Sequence, residues 1–151
     1  MVGHDHLLFW NTAMKHENFV KIYHHDTDCY GIVWHGAYFK WFEAGRIELS
    51  QLMGIDFKTI EKMGILMPVV EINCRYKSPA RLLDEICITT ELNELKNFSL
   101  SFRHTIKNIK TDNLIINAIT TVVTADSDGK MHRKMPDYLF ENYKKHYKAV
   151  L

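Results

Sequence analysis

Residues 26–54, DTDCYGIVWHGAYFKWFEAGRIELSQLMG, decide the fold. The opening segment, Asp26 to Gly31, is polar and turn-prone. A helical period follows: Tyr38, Phe42, Gly45, Leu49 and Leu52 recur at spacings of three and four, flanked by Trp41 and Met53. Phe39, Glu43 and Ile47 form a second, partly apolar line on the same helix. A helix apolar on more than one side is expected to be deeply buried. Gly54 supplies its C-terminal stop.

Upstream of this segment, Phe19–His25 reads as a short strand. Downstream, Phe57–Met63 adds a short helix ending at Gly64, and then the period changes to two. Val70, Ile72, Cys74 and Tyr76 alternate with polar residues, as do Ile86, Ile88, Thr90 and Leu92, and again Phe98, Leu100, Phe102, His104 and Ile106. A fourth run, Leu114–Ala125, is apolar on both faces, and Tyr138, Phe140, Tyr143 and Tyr147 mark a final amphipathic helix. Short turns between one-sided strands predict an antiparallel sheet, whose apolar face the long helix must cover. The expected class is α+β, one curled sheet wrapped around one helix. Exposed sheet edges are expected to pair between copies of the chain.

Composition excludes several classes. The chain has 151 residues, 46% hydrophobic and 25% charged, which suits one globular domain. Residues 1–16 read as a loosely attached arm and 17–151 as the domain. A formal charge of +1 argues against a general nucleic-acid binder. Three scattered cysteines, Cys29, Cys74 and Cys87, form no disulfide framework or metal pair and suit a reducing cytoplasm. The apolar run Leu7–Trp10 is too short for a signal peptide or a membrane span. The serine-hydrolase elbow, the zincin motif, the phosphate-binding P-loop and the dinucleotide-binding glycine pattern do not occur in this sequence. His24 and His25, read as strand neighbours, point to opposite faces and do not chelate together.

The densest chemistry runs from His24 to Tyr38: two carboxylates in a loop just before a helix N-terminus. Free N–H groups and a partial positive charge at such a terminus suit a carbonyl oxygen that gains charge during acyl transfer. A nearby carboxylate can attack that carbonyl or deprotonate a water. The same two residues, Asp26 and Asp28, also suit simple turn capping, and spacing alone leaves both readings open.

Asp26–Gly54 resembles the acyl-CoA thioesterases of the 4-hydroxybenzoyl-CoA thioesterase type, and among them most closely a bacterial group often found with the Tol-Pal system. The shared pattern is an Asp, small residues, Gly31, a hydrophobic pair, Trp34 and His35, then a helix carrying Trp41-Phe42-Glu43 and Arg46. Arg75-Tyr76-Lys77-Ser78-Pro79-Ala80 with Asp84, and Arg133-Lys134-Met135-Pro136, extend it to roughly residues 18–143. The resemblance implies a hotdog fold, in agreement with the architecture read from periodicity.

By position, the resemblance makes Asp28 the catalytic carboxylate and the backbone N–H of His35 the carbonyl-polarising donor. The His35 side chain is a further candidate for orienting water or substrate, and Asp26 reads as loop-shaping. Glu43 matches a helix position used catalytically in a related branch; on a buried line it would need a partner such as Arg46 or His35. Gly31, Tyr38 and Trp41 are expected at the acyl pocket, and Lys77, Arg81, Lys96 and Asn97 at the coenzyme A nucleotide, with the His132–Lys134 cluster as a further source of cations. The implied activity is hydrolysis of a short-chain or aromatic acyl-CoA to free acid and coenzyme A, without a cofactor. The enzyme is expected to be cytoplasmic and a homodimer or homotetramer, with acyl carrier protein as a further partner and with neither nucleic acid nor membrane insertion. The competing reading is a non-hydrolytic module binding acyl-CoA or acyl carrier protein.

Overall fold

Period-two alternation and one long helix give the chain its layers. The computed structural model describes residues 14–147. Its elements are β1 (Lys15–Lys21), a single 3-10 turn (His24–Asp26), α1 (Ala37–Leu52), α2 (Phe57–Lys62), β2 (Val69–Tyr76), β3 (Glu85–Leu95), β4 (Ser99–Asn108), β5 (Leu114–Val123) and α3 (Asp137–Tyr147). The five strands form one antiparallel sheet in the order β1-β3-β4-β5-β2. The central strands alternate as the sequence predicts: Ile86, Ile88, Thr90 and Leu92 of β3, and Leu100, Phe102, His104 and Ile106 of β4, are buried.

The helix crosses that buried face. Tyr38, Trp41, Phe42, Gly45 and Leu49 all point into it, and α1 packs on β3 with contacts to β1 and β4. Near the start of α1 the core joins Ile22, Tyr38, Phe42, Ile86, Ile106 and Ile116. At its far end Leu49 and Met53 meet Leu92, Leu100, Phe102, Leu139 and Tyr143, so that α3 closes the lower end of the core. Each large side chain buried in this way contributes about 1.5–3 kcal/mol.

Three expectations change. Strand β1 starts at Lys15 and ends at Lys21, because Lys15–Lys21 pair residue for residue with Glu91–Glu85. Lys15 and His16 therefore belong to the sheet and Met14 packs, half-buried, against the core, while residues 1–13 of the proposed arm lie outside the described residues. His24 and His25 sit in the 3-10 turn, which the Tyr23 N–H closes by donating to the Asp26 carboxylate at 3.1 Å. The second line of α1 is open in the single chain: Phe39 is 38% exposed, Glu43 is exposed and Ile47 is only half-buried. One sheet face covers one side of a helix, and nothing in a single copy reaches the other.

Candidate active site

The loop between β1 and α1 is held by its own backbone. Thr27 bridges to Val33, and Ile32 bridges to Arg81. The N–H of Asp28 donates to the carbonyl of Ile32, that of Val33 to Ala80, and that of Trp34 to Asp26, all at 2.8–3.0 Å. Gly31 closes the tip at φ +75°, in the left-handed region where only glycine avoids a Cβ penalty.

Asp26 and Asp28 divide the two roles that spacing left open. Asp26 is 2% exposed, and its carboxylate accepts from the Tyr23 N–H at 3.1 Å and from Lys40 Nζ at 2.7 Å, with His25 Nε2 at 3.4 Å. Burial alone would raise its pKa, but the Lys40 and Tyr23 hydrogen bonds and the nearby charges outweigh it and hold the carboxyl below its usual range. Asp26 thus ties the loop to the first turn of α1. Asp28 caps its turn by accepting the Tyr30 N–H on Oδ1 at 2.8 Å, and it also lines a cleft.

That cleft has a volume of about 480 Å³ and joins Asp28 to His35, Tyr38, Tyr76, Lys77 and Ser78. Its floor is aromatic: Tyr38 stands edge-on to Trp41 and to Tyr76, with ring centroids at 5.5 and 5.9 Å. Burial pushes the Tyr38 hydroxyl up to about 12, against the pull of the Ala80 backbone. The backbone N–H groups of His35 and Gly36 have no backbone acceptor among the described residues, which leaves two donors at the mouth of α1. A carboxylate and a helix mouth with free amide donors, brought to one mostly apolar cleft, suit acyl transfer.

The other expected residues are spread more widely. Lys77 lines the cleft. Arg81 lies beside it through its bridge to Ile32 and is exposed. Trp41 is 6% exposed and belongs to the core, touching the cleft only through Tyr38. Gly31 shapes the turn and does not line the cleft. Glu43 lines a second cavity of about 400 Å³ with Arg46, Ile47, Ser50, Phe102 and Tyr143, so one chain does not bring it beside Asp28. No ion pair joins Glu43 to Arg46 or His35 among the described residues. Lys96 and Asn97 occupy the β3–β4 turn, where Asn97 accepts the Met135 N–H and Lys96 lies 3.8 Å from Glu94. The 11 residues of β3 separate this turn from the Asp28 loop by roughly 30 Å.

Sequence reading missed Tyr76 as a site residue. Its hydroxyl donates to the His35 carbonyl oxygen at 2.7 Å across 41 positions. It entered the sequence reading as one member of an alternating strand and of the Arg75–Ala80 stretch of the resemblance, and neither periodicity nor that stretch says what a strand end touches. Among the described residues no cluster of three or more His, Cys, Asp or Glu could hold a metal ion, and no helix is long and apolar enough to cross a membrane.

With a sheet wrapped around its helix and a carboxylate at the helix mouth, the molecule is a hotdog fold. The model of the thioesterase-like superfamily matches residues 22–142, and the chain belongs to that superfamily, as an enzyme of the thioester-hydrolase class. A Synechocystis protein named as an esterase is 32% identical over 127 residues, covering 83% of this chain and 76% of that one. The acyl-CoA thioester hydrolase YbgC of Escherichia coli is 28% identical over 126 residues, covering 83% and 92%. An aspartate-to-asparagine variant of 4-hydroxybenzoyl-CoA thioesterase, solved with 4-hydroxybenzoyl-CoA, superposes with a TM-score of 0.77 at 24% identity, covering 86% of this chain and 99% of that one.

Proposed function

We propose that this protein hydrolyses an acyl-CoA thioester to the free acid and coenzyme A, with Asp28 as the reacting carboxylate. The observation that carries the reading is the cleft that Asp28 shares with His35, whose N–H, like that of the adjoining Gly36, has no backbone acceptor among the described residues. The thioester carbonyl accepts from the His35 and Gly36 N–H groups, which stabilise the oxyanion as it forms. As general base, Asp28 takes a proton from water; the hydroxide adds to the carbonyl carbon, the C–S bond breaks, and the proton passes to the departing thiolate. As nucleophile, Asp28 itself displaces the thiolate to give an acyl anhydride, which water then opens. Both routes need the carboxylate in the same place, and neither needs a cofactor.

Supporting the finer assignments, the Asp26–Gly54 motif points to the 4-hydroxybenzoyl-CoA thioesterase type and its Tol-Pal-associated bacterial group, and Tyr38 and Tyr76 make an aromatic floor suited to a short-chain or aromatic acyl group. Lys77 in the cleft and the exposed Arg81 beside it would supply the cations for the nucleotide phosphates. Lys96 and Asn97 would join them from a second copy, because roughly 30 Å separates them from Asp28 within one chain. The open Phe39–Glu43–Ile47 side of α1 and the edge strand β2 support a homodimer or homotetramer. We place the enzyme in the cytoplasm, with acyl carrier protein as an alternative carrier of the acyl group.

The test is thiol release from a panel of short, long and aromatic acyl-CoAs by wild type and Asp28→Asn. Turnover by wild type and a loss of about a hundredfold or more in the variant, the scale of a positioned acid–base group, is the expected result. Binding without hydrolysis by both proteins would favour a non-catalytic acyl-CoA module. Equal activity in both would move the reacting carboxylate to Glu43.

A further inference from the structure

The hydroxyl of Tyr76 makes the only side-chain hydrogen bond that joins residues 29–36 to another element among the described residues. It donates at 2.7 Å to the carbonyl of His35, the residue whose N–H stands at the mouth of α1. Nothing in packing requires that hydroxyl. Tyr76 is 48% exposed at the end of β2, and a phenylalanine ring would keep the same edge contact with Tyr38. The phenol stays protonated throughout the working range, because burial first and Cys74 second raise its pKa.

We propose that Tyr76 is a positioning residue for the donors that polarise the substrate carbonyl, an assignment that rests on the hydrolytic reading above. Two effects follow from one bond. Anchoring the His35 carbonyl restricts the φ and ψ of His35, and with them the direction of its own N–H. The same carbonyl shares its peptide unit with the Gly36 N–H, and a carbonyl that accepts a hydrogen bond makes the N–H of its peptide a stronger donor. The sequence Tyr76 hydroxyl, His35 carbonyl, Gly36 N–H, substrate oxygen therefore forms a polarised chain that ends on the oxyanion. Asp26 and Lys40 fix the loop from the side of α1, and Tyr76 fixes it from the sheet.

Tyr76→Phe tests this with two readouts, alongside Tyr143→Phe as a control. The control removes the buried bond from Tyr143 to Ser50, 2.9 Å long, at the opposite end of α1. Its expected outcome is a lower melting temperature with unchanged kcat. Tyr76→Phe is expected to lower kcat about tenfold with KM within about twofold, since a displaced donor acts on the transition state more than on binding. The second readout is the infrared carbonyl band of a bound acyl-CoA ketone analogue, in which a methylene separates sulfur from carbonyl. Its shift to lower frequency on binding should shrink in Tyr76→Phe and persist in Tyr143→Phe. If wild type turns over and Tyr76→Phe matches it in kcat and in the band, the positioning role is overturned and hydrolysis stands. If wild type hydrolyses nothing, hydrolysis fails, and the carbonyl band still decides whether Tyr76 aligns the donors.

Discussion

His104 shows how far a single residue can depart from what its pattern suggests. It occupies an apolar position of β4, yet its Nδ1 lies 3.1 Å from Thr90 Oγ1 and its Nε2 3.2 Å from Thr120 Oγ1, with the ring stacked on Phe42 at 4.5 Å. The imidazole ties β3 to β5 through β4 beneath the helix. Burial, with Arg46 adding repulsion, lowers its pKa from 6.5 to about 3. Its folded pKa thus lies below the unfolded one, so the unfolded chain takes up a proton first as pH falls. The neutral ring's contribution to stability is complete above about pH 6.5 and declines steadily towards pH 3. His104→Phe removes that titration and leaves two threonine hydroxyls unpaired. In urea unfolding, the variant should be the less stable at pH 7, and the gap should narrow at pH 4; a gap independent of pH would contradict the shift.

Among the elements, α1 carries a conflict between propensity and packing. Glycine inside a helix costs about 1 kcal/mol relative to alanine, so Gly45→Ala on a free helix would stabilise it. Here a Cβ at position 45 would collide with Thr90 Oγ1, and that hydroxyl is held in place by His104. The close approach of α1 to β3 therefore decides the sign. Gly45→Ala is expected to destabilise by about 1–3 kcal/mol, the range for overpacking a core. Adding Thr90→Ala should recover part of the loss, which a double-mutant cycle in urea would read as favourable coupling. A stabilised Gly45→Ala would mean that the helix sits further from the sheet.

The whole molecule raises the question of what one chain can assemble. The cleft, its carboxylate and its donors come from one copy, whereas Lys96 and the open side of α1 look outward. Light scattering should give a mass two or four times that of the chain. Lys96→Ala should raise KM for acyl-CoA several-fold and leave kcat nearly unchanged, and added salt should raise the wild-type KM in the same direction, because an exposed cation acts through a screened field. A monomer whose KM ignores both changes would remove Lys96 from the substrate site.

Much of this was legible in order and period. The strand, long helix, short helix, four strands and final helix follow from spacings, because a helix and a strand present different periods to one core. The short Asp26–Gly31 loop and its carboxylates were also readable, since chemistry packed into a turn is local in sequence. Tertiary structure alone decided which carboxylate is buried, because Lys40 and Tyr23 reach Asp26 only once the loop folds back. It likewise separated Glu43 from Asp28 by placing them in different cavities, and brought Tyr76 to His35 across 41 residues. Periodicity records which face of an element is apolar; partners distant in the chain meet only when those faces have packed.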